Sequence, residues 1–169
     1  MLVMKKTTSS TIIKLKVLPE YKNLDFAAPT QAKPGDAGFD IVSAVGMRIH
    51  PGRVYVVATP FILAAAPNYL PDGSDYYIKV NSRSGMAAKN GIYPITGTID
   101  KGYRGQIKIV LTMAEQGHGT VNNYIDISPG DRIAQLVVHK IEADNLRFEL
   151  TNEVVETVRG DSGFGSSGK

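Results

Sequence analysis

Short runs of β-branched and aliphatic residues recur along this 169-residue chain and constrain its fold more than any other feature. Some alternate between apolar and polar residues and others are continuously apolar, as in half-buried and fully buried strands. Strands are predicted at residues 12–17, 53–59, 76–81, 106–112, 132–139 and 147–150. Turn clusters rich in Pro, Gly and Asp separate them, at residues 34–36, 51–52, 71–73 and 129–131. This spacing is typical of an all-β sandwich or barrel.

A single short segment has helical character. Residues 84–90 are long enough for about two helical turns, and Gly91 suits the left-handed conformation that ends a helix. The length of the chain fits one domain. We therefore expect one jelly-roll-like β domain over residues 12–151, preceded by a disordered extension of residues 1–11 and followed by a mobile arm of residues 152–169.

The composition argues against several classes of protein. The net charge is only +3 and the basic residues are scattered, whereas a nucleic-acid groove gathers them. Cysteine is absent and the three histidines lie far apart in the sequence, which indicates neither disulfides nor a His-metal cluster. The most apolar stretch, residues 54–66, is too short and too interrupted to span a bilayer, and no secretory leader pattern precedes it. We expect a soluble cytoplasmic protein that binds neither nucleic acid nor membrane.

Residues 159–169 combine four glycines and three serines with a single aromatic residue, Phe164. Such a segment orders only when a ligand compensates the entropy that its backbone loses. Gly and Ser offer donors to phosphate oxygens, Arg159 offers a bidentate fork, and Phe164 offers a flat face to a nucleobase. On its own, this segment is equally consistent with a nucleotide lid and with a frayed chain end.

Two further segments place polar side chains where a loop meets a regular element. Ser84 can lie at the start of the helix and face an anion together with Arg83, or it can be a capping serine beside a solvent-exposed arginine. Residues 130–136 lead from a turn into a strand, on which Arg132 and Gln135 are expected on opposite faces. Either Arg132 forms a structural ion pair and Gln135 contacts a ligand, or the two roles are reversed.

Two acids stand within apolar strands, although Asp is a poor strand former. Asp100 follows Ile99 within residues 97–105. A carboxylate held there can act as a general base on water, or it can simply cap the turn at Lys101. Asp40 has a similar setting within residues 37–41.

Taken in chain order, these segments resemble the five motifs of the trimeric deoxyuridine triphosphatase (dUTPase) family, over residues 37–168. The matching segments are Ala37-Gly38-Phe39-Asp40-Ile41, Arg83-Ser84-Gly85-Met86-Ala87, Gly97-Thr98-Ile99-Asp100 with Tyr103-Arg104-Gly105, residues 130–136, and residues 159–168. Each motif is weak alone, but together they are specific. They favour the interpretation of the C-terminal segment as a lid.

The resemblance implies hydrolysis of dUTP to dUMP and pyrophosphate by a homotrimer that shares its active sites between subunits. Asp100 would activate the water that attacks the α-phosphorus. Mg²⁺ would be held mainly by the phosphates and would reach Asp40 through a water molecule, while Tyr103 would stack on deoxyribose and exclude a 2′-hydroxyl. The implied substrate-binding residues are Arg83, Ser84, Gly85, Thr98, Ile99, Tyr103, Gln135, Arg159, Phe164, Gly165, Ser166 and Ser167. Lys108 is added because it points away from the apolar residues on either side of it.

The chain departs from the family pattern at a few positions. Pro94 stands where many bacterial members carry a uracil-reading Asn, so uracil recognition is expected to rest on backbone groups of residues 92–97. Ser82 replaces a usual Pro, and Lys101-Gly102 replace a common acidic stretch.

Two alternatives to dUTP hydrolysis remain. A dCTP deaminase of the same fold would need a Glu on the strand after the third motif, and residues 106–112 contain no acid. A nucleotide-sensing module would need a site for a regulatory protein partner, for which residues 115–124 are the best candidate.

Overall fold

The computed structural model describes residues 12–115, 124–142 and 149–150. Within this part of the chain, ten strands and one α-helix follow one another. The strands are β1 (Lys14–Val17), β2 (Phe39–Val42), β3 (Met47–Ile49), β4 (Val54–Ala65), β5 (Asp75–Asn81), β6 (Ile92–Thr96), β7 (Thr98–Asp100), β8 (Gln106–Met113), β9 (Ile125–Ile127) and β10 (Arg132–Ile141), and the helix α1 is Ser84–Asn90. A short 3₁₀ turn occupies Pro19–Tyr21.

The strands form two four-stranded sheets and one two-stranded pair. The sheet orders are β1-β4-β8-β6 and β2-β10-β5-β7, and β3 pairs with β9. The pairings within these sheets are antiparallel. Because neighbours in a sheet are mostly distant in sequence, the connections cross between sheets as they do in a jelly roll. The predicted all-β, jelly-roll-like fold with one short helix is confirmed.

The core is built by strand alternation. In β8 every second side chain is buried, namely Ile107, Ile109, Leu111 and Met113, each at most 1% exposed. In β5 the buried positions are Tyr76, Ile78 and Val80. Full burial of one such apolar side chain stabilises a fold by about 1.5–3 kcal/mol. The remaining positions of β5 therefore face away from the core and are free to carry polar residues.

Two residues, Ser82 and Arg83, connect β5 to helix α1, which has the predicted bounds. Gly91 ends it at φ +65° and donates its N–H to the carbonyl of Ala87 at 2.9 Å. This left-handed conformation carries no penalty for glycine. The short connection between β5 and α1 places Arg83 directly at the end of the strand.

Two strand predictions differ from the structure. Strand β4 does not end at Thr59 but continues past Pro60 to Ala65, because its register against β8 shifts between Ala58 and Ile62. Such a bulge lets a strand pass a proline that cannot donate a backbone hydrogen bond. Of the strand predicted at 147–150, Glu149 and Leu150 are described and neither is in a strand.

No helix among the described residues has the length and apolar character needed to cross a membrane.

Candidate active site

One group of predicted site residues converges on the buried carboxylate of Asp40. The Asp40 side chain, in β2, is only 7% exposed. It accepts hydrogen bonds from Arg83 Nε at 2.9 Å, Arg132 NH1 at 3.2 Å and Gln135 Nε2 at 3.4 Å. A carboxylate at this depth requires opposite charge and donors. Asp40 therefore holds together side chains from the β5–α1 connection and from β10.

The expectation that Arg132 and Gln135 lie on opposite faces is wrong. The pairing of β10 with β2 shifts register between Arg132 and Ala134. A bulge adds one residue to the bulged strand, so two side chains at an odd spacing can point to the same side. Both side chains consequently reach Asp40. Arg132 forms an ion pair with it, although the Arg132 side chain is 56% exposed.

A polar cavity of about 420 Å³ opens beside Arg83. Its lining carries the cationic side chains of Arg83, Lys89 and Arg132 and the carboxylates of Asp126 and Asp131, so the cations are in excess. Arg83 donates one N–H to Asp40 and one to the carbonyl of Arg132 at 3.0 Å, which leaves about three of its five donors available. Ser84 is exposed in the first turn of the helix. This end of the domain can therefore bind an anion.

The side chain of Gln135 packs on Gly38 in a space that only glycine leaves open. A Cβ atom at position 38 would lie 2.6 Å from Oε1 of Gln135. The contact with Gln135, in the fourth motif, thus explains why residue 38 of the first motif is a glycine.

A second group of predicted site residues lies in β7 and in the turn that follows it. Ile99 is buried, whereas Thr98 and Asp100 are exposed on the opposite face. The N–H of Tyr103 donates to the carbonyl of Asp100 at 2.9 Å and closes the turn. The carboxylate of Asp100 is accordingly open to solvent at the edge of a sheet, as a base that meets water must be.

The ring of Tyr103 lies over Gly105 and is 46% exposed. Its hydroxyl donates to the carbonyl of Gln106 at 3.2 Å. A Cβ atom at position 105 would lie 2.5 Å from Cζ of the ring. Glycine at this position allows the ring to lie flat against the chain.

The two groups lie at opposite ends of β5. Asp100 pairs with Tyr77 near the start of the strand, and Arg83 stands two residues beyond its last residue, Asn81. Residues 77 to 83 are extended, so a rise of about 3.3 Å per residue separates the two ends by about 20 Å. The described residues of one chain therefore form two separate groups, and each contains only some of the five motifs.

The remaining predicted residues do not join either half. Lys108 lies in β8 of the other sheet and is exposed, while the flanking Ile107 and Ile109 are buried. Its predicted direction is therefore confirmed, but among the described hydrogen bonds it contacts none of the other candidate residues. Arg159, Phe164, Gly165, Ser166 and Ser167 lie outside the described residues, as do residues 116–123 of the proposed partner segment.

Sequence reasoning missed the contacts of Lys101, which stands next to Asp100. Its ammonium group contacts Asp75 Oδ1 at 2.6 Å and the carbonyl of Asn68 at 2.7 Å. The hydrogen bond from Lys101 lowers the pKa of Asp75, and the same bond raises the pKa of Lys101. The sequence showed that Lys101 departs from the family pattern. It did not show the partners of Lys101, because they are distant in sequence.

Within the described ranges, no group of three or more His, Cys, Asp or Glu side chains could hold a metal ion.

Comparison with known proteins matches this chain to the dUTPase family model over residues 25–168. The deoxyuridine 5'-triphosphate nucleotidohydrolase of Rhodococcus erythropolis (strain PR4 / NBRC 100887) is 40% identical over 146 residues, which cover 85% of this chain and 80% of the relative. The enzyme of the same name from Anaplasma marginale (strain St. Maries) is 38% identical over 161 residues, covering 93% of this chain and 99% of the relative.

Solved structures agree with these relatives. A variant of the Staphylococcus bacteriophage 80alpha dUTPase, bound to dUpNHpp, superposes with a TM-score of 0.69 at 26% identity, over 95% of this chain and all of the phage chain. A variant of the dUTPase from phage phi11 of S. aureus, which coordinates a structural Mg(II) ion, superposes with a TM-score of 0.63 at 25% identity, over 86% of this chain and 99% of the other.

The fold and these matches define a hydrolase of nucleotides, and the chain belongs to the dUTPase family. The enzyme class predicted from the five motifs, dUTP diphosphatase, is confirmed.

Proposed function

We propose that this chain hydrolyses dUTP to dUMP and pyrophosphate, in a Mg²⁺-dependent reaction in which Asp100 acts as the general base on the attacking water. The product dUMP is a precursor of dTTP, and removal of dUTP limits uracil in DNA. The observation that carries the proposal is the pair of half-sites at the two ends of β5, one able to bind an anion and one with an exposed carboxylate beside a tyrosine. Membership of the family supports it.

The triphosphate would lie at the end of the domain that contains Asp40. Arg83, Ser84, Gly85 and Gln135 would donate to phosphate oxygens, because guanidinium, hydroxyl, amide and backbone N–H groups all suit anionic oxygens. The fixed direction of Arg83 supports this role, since two of its donors are already held by Asp40 and by the carbonyl of Arg132. Alignment of this kind can supply about 7 kcal/mol of a reaction barrier.

Asp40 fits an indirect contact with Mg²⁺. An ionised carboxylate offers about four lone-pair positions, and Arg83, Arg132 and Gln135 occupy three of those of Asp40. The remaining position could accept a hydrogen bond from a water molecule on the ion. Mg²⁺ keeps several waters and binds through phosphates rather than through an all-protein cage, so the ion would neutralise charge on the triphosphate.

The nucleoside would lie at the other half-site. Asp100 would take a proton from the water that attacks the α-phosphorus, and backbone groups of Thr98 and Ile99, with those of residues 92–97, would read uracil. Tyr103 would stack on deoxyribose. The packing of this ring on Gly105 supports its role as a fixed surface, which would exclude a 2′-hydroxyl by contact.

The complete site would form between subunits of a homotrimer. A separation of about 20 Å within one chain prevents Asp100 and Arg83 of the same copy from acting on the same phosphorus. A head-to-tail ring brings one end of each subunit against the opposite end of the next. The segment with Arg159, Phe164, Gly165, Ser166 and Ser167 would close over the nucleotide and exclude water. Lys108 would be a further contact to the substrate.

The test is a comparison of four nucleotides in one assay. Pyrophosphate release is measured with dUTP, UTP, dTTP and dCTP at saturating Mg²⁺ and again with the ion chelated. We expect rapid release from dUTP with Mg²⁺ and little from the other three. Equal release from all four nucleotides would contradict the proposed specificity, and ammonia release from dCTP would indicate the deaminase instead.

Replacing Gly105 with Ala is expected to weaken discrimination against UTP. The new Cβ atom would overlap the ring of Tyr103, and the ring can turn toward solvent because it is already 46% exposed. The ratio of kcat/KM for dUTP to that for UTP should fall at least about ten-fold, the scale on which pocket contacts discriminate. Steady-state kinetics with both nucleotides measure it.

The matched control is Gly102→Ala in the same turn. A Cβ atom there meets nothing within 4 Å, so the ratio should stay within about two-fold of the wild type if Tyr103 sets the preference. An unchanged ratio in Gly105→Ala would show that Tyr103 does not exclude the 2′-hydroxyl.

A further inference from the structure

The ammonium group of Lys101 is held on three sides. It contacts Asp75 Oδ1 at 2.6 Å and donates to the carbonyl of Asn68 at 2.7 Å. It also lies 5.0 Å from the centroid of the Tyr69 ring, within the range of a cation–π contact. Since an ammonium group has three donors, these partners leave little freedom to the head of the side chain.

The partner carboxylate is fixed as well. Asp75 is the first residue of β5, and its Oδ1 also accepts the N–H of Tyr76 at 2.7 Å. The hydrogen bond from Lys101 lowers the pKa of Asp75, and the reciprocal bond raises the pKa of Lys101. Both groups therefore keep their charges across the neutral range. The pair is lost only as the pH falls through the lowered pKa of Asp75 or rises through the raised pKa of Lys101.

The main chain of Lys101 is tied to the turn that contains Asp100 and Tyr103. NH1 of Arg104 donates to the carbonyl of Lys101 at 2.8 Å and to that of Tyr103 at 2.9 Å. The N–H of Tyr103 donates to the carbonyl of Asp100 at 2.9 Å. A displacement of Lys101 would therefore move both the base and the tyrosine of the half-site.

We propose that Lys101 is a positioning residue for Asp100, which it aligns by fastening the turn of residues 100–104 to residues 68–75. This inference rests on the proposed function, because Lys101 would affect turnover only through Asp100 acting as the base. A misplacement of about 1 Å can lower turnover by about 100-fold, so loss of the anchor next to the base should lower the rate even though Asp100 stays paired with Tyr77.

The simpler alternative is that Lys101 only forms a surface ion pair of small value to stability. A second Lys–Asp pair in the chain provides a matched control for this alternative. Lys140 of β10 pairs with Asp72, which belongs to the same connection between β4 and β5 as Asn68. This second Lys–Asp pair ties down the same connection, but none of its hydrogen bonds reaches the turn of residues 100–104.

The experiment compares Lys101→Met, Lys101→Arg and Lys140→Met in the full-length protein. We expect kcat for dUTP to fall about 10-fold or more in Lys101→Met with a smaller change in KM. Lys101→Arg should recover part of the loss because it keeps the charge beside Asp75. Lys140→Met should stay within about two-fold of the wild type, while the thermal midpoints of the two Met variants stay similar.

A second measurement does not depend on turnover. Amide hydrogen exchange at Tyr103 reports the bond that closes the turn, and it should be faster in Lys101→Met than in Lys140→Met. Equal exchange in the two variants, or a kcat of Lys101→Met within two-fold of that of Lys140→Met, would overturn the proposal. If the wild type does not hydrolyse dUTP, the proposed function fails, and the exchange comparison by itself decides whether Lys101 holds the turn.

Discussion

Replacement of Asp100 with Asn should lower kcat for dUTP by about 10²–10⁴-fold, the usual contribution of a general base. Asn keeps the shape and a hydrogen-bond acceptor, but it cannot take a proton from water. The side chain is exposed at the edge of β7, and no hydrogen bond or ion pair among the described residues uses its carboxylate. Steady-state turnover and the affinity for the non-hydrolysable analogue dUpNHpp are the two measurements.

The two measurements separate the roles that Asp100 can have. A base contributes to turnover and not to binding, so the affinity for the analogue should stay within about three-fold of the wild type. Asp72→Asn, which changes another exposed carboxylate, serves as the control and should retain full turnover. Full activity of Asp100→Asn would show that the base is another group, and loss of analogue binding would make Asp100 a ligand residue.

Two inactive variants should restore activity when their subunits are mixed. Arg83→Gln removes a phosphate ligand from one half-site, and Asp100→Asn removes the base from the other. If each complete site takes Arg83 from one copy and Asp100 from its neighbour, a randomly mixed ring has both residues intact in about a quarter of its sites. Turnover is measured after the two variants are unfolded and refolded together, and after each is refolded alone.

The control for this experiment pairs Asp100→Asn with Tyr103→Ala. These two residues stand in one turn, joined by the hydrogen bond between Tyr103 N–H and the carbonyl of Asp100, and therefore always enter a site from the same copy. Their mixture should show no more turnover than the mean of the two variants refolded alone. Failure of the Arg83→Gln and Asp100→Asn mixture to recover, with mixed oligomers demonstrated by mass, would contradict the shared site.

Features that depend on neighbouring residues were predictable from the sequence. The bounds of α1 and its end at Gly91 follow from a short run that contains Met, Ala and Lys and is closed by one glycine. Burial of Ile107 and Ile109 with exposure of Lys108 follows from alternation along a strand. The five motifs gave the family because each is a local pattern of residues around a site.

Features that depend on register or on distant pairing were not predictable. The common direction of Arg132 and Gln135 results from a bulge that arises only when β10 pairs with β2. The contact of Lys101 with Asp75 joins residues that are brought together by the pairing of β5 with β7. Alternation within one strand carries no information about either event.

The division of the motifs between two ends of the domain was also hidden in the sequence. It follows from the length of β5, which has Tyr77 beside Asp100 at one end and leads to Arg83 at the other. Motifs that follow one another along a chain can thus belong to different sites.

If the site is shared between subunits as proposed, the length of this one strand also links catalytic output to the amount of protein present. A lone copy can be fully folded and still lack any place where base and phosphate ligands meet. Because association follows mass action, dilution would silence such an enzyme without unfolding it, and a newly made chain would stay inert until it met its partners. The abundance of the protein would then control nucleotide cleavage without any effector.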